Sequence, residues 1–242
     1  MPQPIVDRPS PNHDARPAGR AVDILLLHYT GMESAAAALD RLCDPAAKVS
    51  AHYCIDEDGG VLRLVDEGRR AWHAGVAAWA GASDINARSI GIELVNPGHE
   101  FGYRAFPEAQ MTALIALCRD VVARHPIPAA RVLGHSDVAP LRKQDPGELF
   151  DWARLAGAGI GLWPGAVDPS AAVPGTAEIQ AGLARFGYAV PRSGRLDDET
   201  RAVLRAFQRH FRPASVTGSP DGETATRLAA LLALLDDPPA AP

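Results

Sequence analysis

Between Gly134 and Glu148 the sequence runs GHSDVAPLRKQDPGE, which sets His135 and Asp145 ten residues apart, with Lys143 two before the aspartate. So many turn formers exclude a helix, and the fold has to bring these side chains together. An imidazole and a carboxylate in such a turn read as half of a zinc site. The other half is expected at His28, which ends the apolar run Ile24 to His28, because a ligand at the end of a buried strand is held on a rigid element. Two histidines and a carboxylate leave one position of a tetrahedral zinc open for water.

A zinc hydrolase also needs an acceptor for the proton of the attacking water and a positive group for the oxyanion formed at the carbonyl. Glu93 interrupts the apolar run SIGIELV (Ser89 to Val95), and a carboxylate on a mostly buried strand is costly unless a metal, a cation or hydrogen bonds compensate it. It is the candidate proton acceptor. Lys143, beside its ligand neighbour Asp145, is the candidate for the oxyanion. Taken singly, a strand-end histidine is more often structural, and an aspartate before proline is usually a turn former. No local ligand motif of the HExxH kind is present.

These residues require particular elements to position them. Val22 to His28 reads as a buried strand, and Ser34 is placed to cap a helix over Ala35 to Leu42. Ser50 to Asp56 and Val61 to Val65 flank Glu57-Asp58-Gly59-Gly60, which predicts a hairpin. SIGIELV predicts a further strand. Pro107 sits at the start of a helix whose spacing puts Met111, Leu114, Ile115, Cys118, Val121 and Val122 on one face. A short strand at Arg131 to Gly134 then delivers His135. The irregular alternation predicts an α/β fold, a mixed central sheet covered by helices.

Residues 1–20 read as a flexible lead, and residues 21–163 hold the candidate site. WPGAVDPSAAVPG (Trp163 to Gly175) makes 164–175 a linker. Residues 176–236 then predict a small C-terminal three-helix bundle: Thr176, capping, to Phe186; Asp197 or Asp198 to Phe211; and Glu223 to Leu235 with a leucine stripe. Residues 237–242 should fray as a tail.

Composition sets outer limits. The 242 residues, 47% hydrophobic and 22% charged, suit a globular protein with a sizeable core. With 24 basic and 29 acidic residues the net charge is -5, so no basic field draws in nucleic acid. Cys43, Cys54 and Cys118 are odd in number and widely spaced, which argues for free thiols rather than a disulfide framework. No apolar run approaches the roughly 18 residues of a membrane span. The first twenty residues lack the apolar stretch of a conventional signal peptide.

LLLHYT around His28, SAHYCID (Ser50 to Asp56), AWHAG (Ala71 to Gly75), SIGIELVNPG and GHSDVAPLRKQDPG together resemble the N-acetylmuramoyl-L-alanine amidase type 2 family, which takes in the AmpD-like amidases and the peptidoglycan recognition proteins. The resemblance covers roughly Ala21 to Trp163. It implies one Zn²⁺ at His28, His135 and Asp145, catalytic assistance from Glu93 and Lys143, and cleavage of the amide between N-acetylmuramic acid, in its reducing or its 1,6-anhydro form, and the L-alanine of the stem peptide. Some phage relatives carry a catalytic tyrosine just before the histidine of the SAHY-like motif; Ala51 stands there, which leaves proton transfer to Glu93. The GY, DxxT, FQ and DGETATRL pattern between about Glu178 and Leu232 resembles a three-helix peptidoglycan-binding domain. The implied partners are peptidoglycan or muropeptides, and a wall binder beside a wall amidase would tether the enzyme to its substrate.

Alternatives stay open at this level. Relatives of the fold bind peptidoglycan without cutting it. The implied location is the periplasm or cell envelope, whereas the absent signal peptide and free cysteines suit a cytoplasmic recycling enzyme; the oligomeric state is not legible. Trp72 and His73 in AWHAG could stack on and hydrogen-bond a sugar, or be core. Asn86 and Arg88 could meet the muropeptide, although loop capping by Asn86 is as good a reading. His52 and Cys54, two apart on one strand, make a poor nucleophile-base pair. His99, His125 and His210 have no supporting neighbours in the sequence.

Overall fold

In the computed structural model, which describes residues 4–236, the run Ile24–Tyr29 forms a strand buried at every position up to His28. The expected fraying of 237–242 lies outside the described residues. In chain order the elements are β1 (Val6–Asp7), β2 (His13–Ala15), β3 (Ile24–Tyr29), α1 (Ala35–Cys43), β4 (Tyr53–Ile55), β5 (Val61–Arg63), β6 (Arg69–Ala71), β7 (Ser89–Leu94), α2 (Gly98–Phe101), α3 (Glu108–Arg124), β8 (Val132–Gly134), α4 (His135–Val138), α5 (Trp152–Gly157), α6 (Thr176–Phe186), α7 (Asp198–Phe211) and α8 (Gly222–Asp236). The main sheet is mixed, in the order β1-β5-β4-β7-β3-β8. Its β4-β5 pair is the expected antiparallel hairpin, while β4, β7, β3 and β8 run parallel.

Alternation along the strands divides the core between the two faces of the sheet. Leu25 and Leu27 of β3, Ile90 and Ile92 of β7 and Tyr53 and Ile55 of β4 pack under α3 through Met111, Leu114, Leu117, Cys118 and Val121. Ile115 and Val122, expected on that face, sit at its margin, and Leu117 takes a central place. The opposite face carries Ile24, Leu26 and His28. There α1, capped by Ser34 as expected, covers Cys54 with Leu39 and Leu42.

A flexible lead was expected over residues 1–20, but residues 6–16 are held to the rest of the chain. Among the described ones, β1 pairs with β5 and β2 with β6, and Arg16 donates to the carbonyls of Glu67, Asn86, Ala87 and Ser89. One guanidinium with its fork of donors ties the lead to two other stretches of backbone, an order for which its polar, proline-rich sequence gave no reason.

The C-terminal helices differ from expectation in how they sit, not in their existence. Asp197 caps α7 through Thr200 N; at α6 the cap position is Gly175, and Thr176 is the first helical residue. Ile179, Leu183, Phe186, Tyr188, Val203, Phe207 and Leu228 share one continuous core with Ile24, Leu26, Trp79 and Leu133. Trp79 meets Phe186 and Tyr188 edge-on, with ring centroids 5.9 and 4.9 Å away. The bundle therefore covers part of the face that bears His28, and α1 covers another part of it.

Candidate metal centre and active site

Register brings the first two site residues together. Strands β3 and β7 pair His28 with Glu93, so both side chains leave the same face at the same height, on strands about 4.8 Å apart. β8 lies on the other side of β3 and ends at Gly134, which makes His135 the first residue of α4. The chain then turns back to bring in Asp145. A Cβ on Gly134 would stand 2.8 Å from Cδ of Pro146, so the glycine lets the Asp145-Pro146 turn close over the end of the strand.

The predicted ligands converge. His28 Nδ1 lies 3.0 Å from His135 Nδ1 and 3.0 Å from Asp145 Oδ2, and His135 Nδ1 is 3.1 Å from the same oxygen. The three side chains form a fully buried group that could hold a metal ion. Those separations are close to the edge of a tetrahedron, roughly 3.3 Å when metal-ligand bonds are about 2.0 Å. His135 Nε2 stands 3.0 Å from the carbonyl of Ala74, which can only accept, so the proton of a neutral ring is there and Nδ1 presents a lone pair. Burial, reinforced by the facing His135, lowers the pKa of His28 to about 4, so the His28 ring is neutral. Burial opposes ionisation of Asp145, but facing His135 and His28 outweighs it and holds the carboxyl well below its ordinary range. Two imidazoles with their Nδ1 atoms turned inward and a carboxylate are the donor set of a cation site.

Glu93 faces the same cavity, together with His28 from β3, His135 from α4, Lys143 and Asp145 from the turn that follows, and Arg41 and Leu42 from α1. Its Oε2 is buried and has no hydrogen-bond partner among the described residues. Burial, and then the charge of Asp145, push its pKa well above the usual carboxylate range, with Lys143 pulling the other way. An orphaned carboxylate oxygen costs on the order of 1–3 kcal/mol, a cost that a partner entering the cavity would offset. Cys54, in register with Glu93, is a buried thiol that burial keeps protonated, so no cysteine-histidine dyad operates there. His52 is structural: its Nδ1 accepts from the backbone N of Gly91 at 2.9 Å.

The remaining candidates are not brought to the open part of the cavity. Arg88 pairs with Asp23 and sits five residues before Glu93, roughly 16 Å down the strand. Asn86 caps the AWHAG loop, its Oδ1 accepting from the backbone N of His73 and Ala74 at 3.1 and 2.8 Å. Trp72 is partly buried and does not line the cavity. His73 does line it but is 5% exposed, wedged between His28 and Ser89. Sequence reasoning missed the rim where Tyr29 OH meets His99 Nδ1 at 2.9 Å and the His99 ring stacks on Tyr103. Tyr29 follows the candidate ligand His28 directly, which was the available signal. It also missed partners for His125, which pairs with Glu67, and for His210, which pairs with Asp137.

The comparisons with known proteins agree with this geometry. Residues 18–148 match the N-acetylmuramoyl-L-alanine amidase family. The chain is 38% identical over 252 residues to N-acetylmuramoyl-L-alanine amidase AmiD of Escherichia coli K12, a match covering 94% of this chain and 90% of that protein. This chain belongs to the N-acetylmuramoyl-L-alanine amidase family. It is a hydrolase of peptidoglycan turnover, and the His/His/Asp group in its cavity favours a catalytic amidase over a recognition protein that does not cut. The E. coli AmiD structure, a complex with anhydro-N-acetylmuramic acid-L-Ala-D-gamma-Glu-L-Lys, superposes with a TM-score of 0.80 at 39% identity, over 89% of this amidase and 91% of that chain. AmpDH3 of Pseudomonas aeruginosa superposes with a TM-score of 0.79 at 36% identity, over 93% and 95% of the two chains. The 1,6-anhydro-N-acetylmuramyl-L-alanine amidase AmpD of E. coli K12 is 37% identical over 164 residues, 61% of this chain and 87% of that protein. Residues 173–228 of the amidase match a putative peptidoglycan-binding domain.

Proposed function

We propose that His28, His135 and Asp145 hold one Zn²⁺, and that Glu93 and Lys143 carry the hydrolysis of the amide joining N-acetylmuramic acid, in its 1,6-anhydro or reducing form, to the L-alanine of the stem peptide. The observation that carries the reading is the cavity itself: converging lone-pair donors beside a carboxylate oxygen with no partner among the described residues. A bound Zn²⁺ would polarise the scissile carbonyl and lower the pKa of water. Glu93 Oε2 is free to accept a hydrogen bond from the attacking water, take its proton, and pass that proton to the nitrogen of L-alanine as the carbon-nitrogen bond breaks. Burial disfavours the ionised form of Glu93, which favours its taking a proton from water and holding it until the leaving nitrogen can accept it. Lys143, partly exposed at the cavity edge, supplies positive charge for the carbonyl oxygen as that oxygen becomes negative.

The anhydro-muropeptide bound to AmiD supports the same substrate class for this enzyme, and the peptidoglycan-binding match of residues 173–228 supports wall polymer or its large fragments as the physiological substrate. We accordingly assign the periplasm or cell envelope as its place of action, with cytoplasmic recycling as the alternative. Among the described residues, no helix is long and apolar enough to cross a membrane. Digestion of intact sacculi and of purified anhydro-muropeptide, with products identified by mass spectrometry, tests the substrate. Glu93→Ala is expected to keep its zinc, measured by atomic absorption, while hydrolysis falls by at least about 10²-fold; wild-type turnover in that variant would remove Glu93 from the mechanism.

A further inference from the structure

His73 has no part in the chemistry above, yet it is one of the most constrained side chains in the molecule. Its ring lies flat against β7, where a Cβ on Gly91 would stand 2.5 Å from its Cγ, so only glycine leaves it room. Its backbone N and that of Ala74 are both held by Asn86 Oδ1. Its Nε2 is 3.2 Å from Ser89 Oγ and its Nδ1 is 3.1 Å from His28 Nε2.

The direction of this chain of hydrogen bonds is set at its far end. Ser89 Oγ lies 2.7 Å from the carbonyl of Ile85, which can only accept, so the single hydroxyl proton of Ser89 is committed there. Towards His73 the hydroxyl therefore accepts, and the proton of the neutral His73 ring is on Nε2. His73 Nδ1 is then a lone pair, and His28 Nε2 has to donate to it. That leaves His28 Nδ1 bare, facing His135 Nδ1 and Asp145 Oδ2. The opposite polarity would break the Ser89-Ile85 bond and put a proton on His28 Nδ1, in the middle of the ligand group.

We propose that His73 is a positioning residue that fixes the tautomer and ring orientation of His28, and that the segment His73-Ala74, pinned by Asn86, orients both histidine ligands at once. The side chain of His73 acts on His28, while the carbonyl of Ala74 acts on His135 at 3.0 Å. Residues 73 and 74 thus set both imidazoles with lone pairs inward, an arrangement that otherwise rests on two strands distant in sequence. This proposal rests on the reading of His28 as a zinc ligand.

The test uses the full chain and zinc alone. In the metal-stripped wild type, ¹⁵N shifts of the His28 ring should show Nε2 protonated and Nδ1 not; a protonated Nδ1 would overturn the proposal without any variant having to fold. Competition with a chromophoric chelator should then show zinc affinity about 10- to 100-fold weaker in His73→Phe, the loss typical of a removed outer partner. His73→Asn, which retains an acceptor near the Nδ1 position, should recover part of that loss, and the cobalt-substituted spectrum should change in His73→Phe. Unchanged zinc affinity and an unchanged cobalt spectrum in a folded His73→Phe would also overturn it. A wild type that binds no zinc would instead defeat the ligand reading itself, which separates the two failures.

Discussion

Two buried clusters of histidine and aspartate branch from one short helix, and they are opposites in proton count. On one side, His135 joins His28 and Asp145, where three acceptor atoms meet within 3.1 Å. Two residues along, Asp137 turns the other way and accepts from Tyr188 OH at 2.6 Å, from His210 Nδ1 at 2.7 Å and from the backbone N of Gly134 at 2.8 Å. The ring of His210 is packed between Trp152 and Phe211, with centroids 3.6 and 3.8 Å away. Both clusters are buried and built from the same residue types. In the second every acceptor has its donor and the cluster is a strut between α4 and α7; in the first three acceptor atoms face one another, an arrangement that could hold a cation. Residue type and burial do not separate a site from a strut, whereas the donor count does.

Removing the strut's far side altogether should have the largest effect. A chain ending at Trp163 uncovers Ile24, Leu26, Trp79 and Leu133, each worth about 1.5–3 kcal/mol when buried, which together consume most of a typical net stability of about 5–15 kcal/mol. Such a chain should show no cooperative melting by circular dichroism. A sharp melt with intact activity on small muropeptides would restore the picture of the bundle as a mere tether. Next in size, Asp145→Ala should lose bound metal and at least about 10³ in turnover while still melting cooperatively, as read by atomic absorption and product mass spectrometry. His210→Leu should do the reverse. It strands Asp137 short of a donor, costing about 3 kcal/mol in denaturant unfolding, but leaves metal stoichiometry intact.

The smallest effect concerns Glu93 in metal-stripped protein. Its folded pKa is raised above the 4.5 of the unfolded chain, so the folded state holds a proton that the unfolded state has released, and stability falls as pH climbs above 4.5 towards the raised value. Glu93→Gln should therefore melt higher than wild type near pH 8, with the difference closing by pH 4. A constant difference across that range would mean that Glu93 is not shifted.

Much of the metal centre was legible because its residues break local rules. Glu93 is a carboxylate inside an apolar strand, His28 ends a leucine run, and His135 and Asp145 share a turn-rich segment, although the expectation that it holds no helix was wrong for the single turn of α4 that begins at His135. The assignment of Asn86, Arg88 and Trp72 to substrate did not follow, because a loop residue's partner is fixed by tertiary geometry: Asn86 turns inward to backbone, and Arg88 stands at the wrong end of its strand. The three C-terminal helices were visible from caps and periodicity. Their docking was not, since Phe186, Tyr188 and Phe207 could as well have closed a bundle of their own; nothing local says that they meet Trp79 and Leu26. The pairing of β1 and β2 was equally hidden, because two- and three-residue strands carry no period and the order there depends on Arg16 reaching carbonyls some fifty to seventy positions away.

The shared core has a consequence for synthesis. Ile24 and Leu26 leave the ribosome early, but Ile179, Leu183 and Phe207, which cover them, come roughly 150 residues or more later. At about 5–20 residues per second the nascent chain carries an open apolar face for on the order of ten seconds or more. Throughout that interval the half-made chain presents an aggregation-prone surface that the finished amidase no longer has.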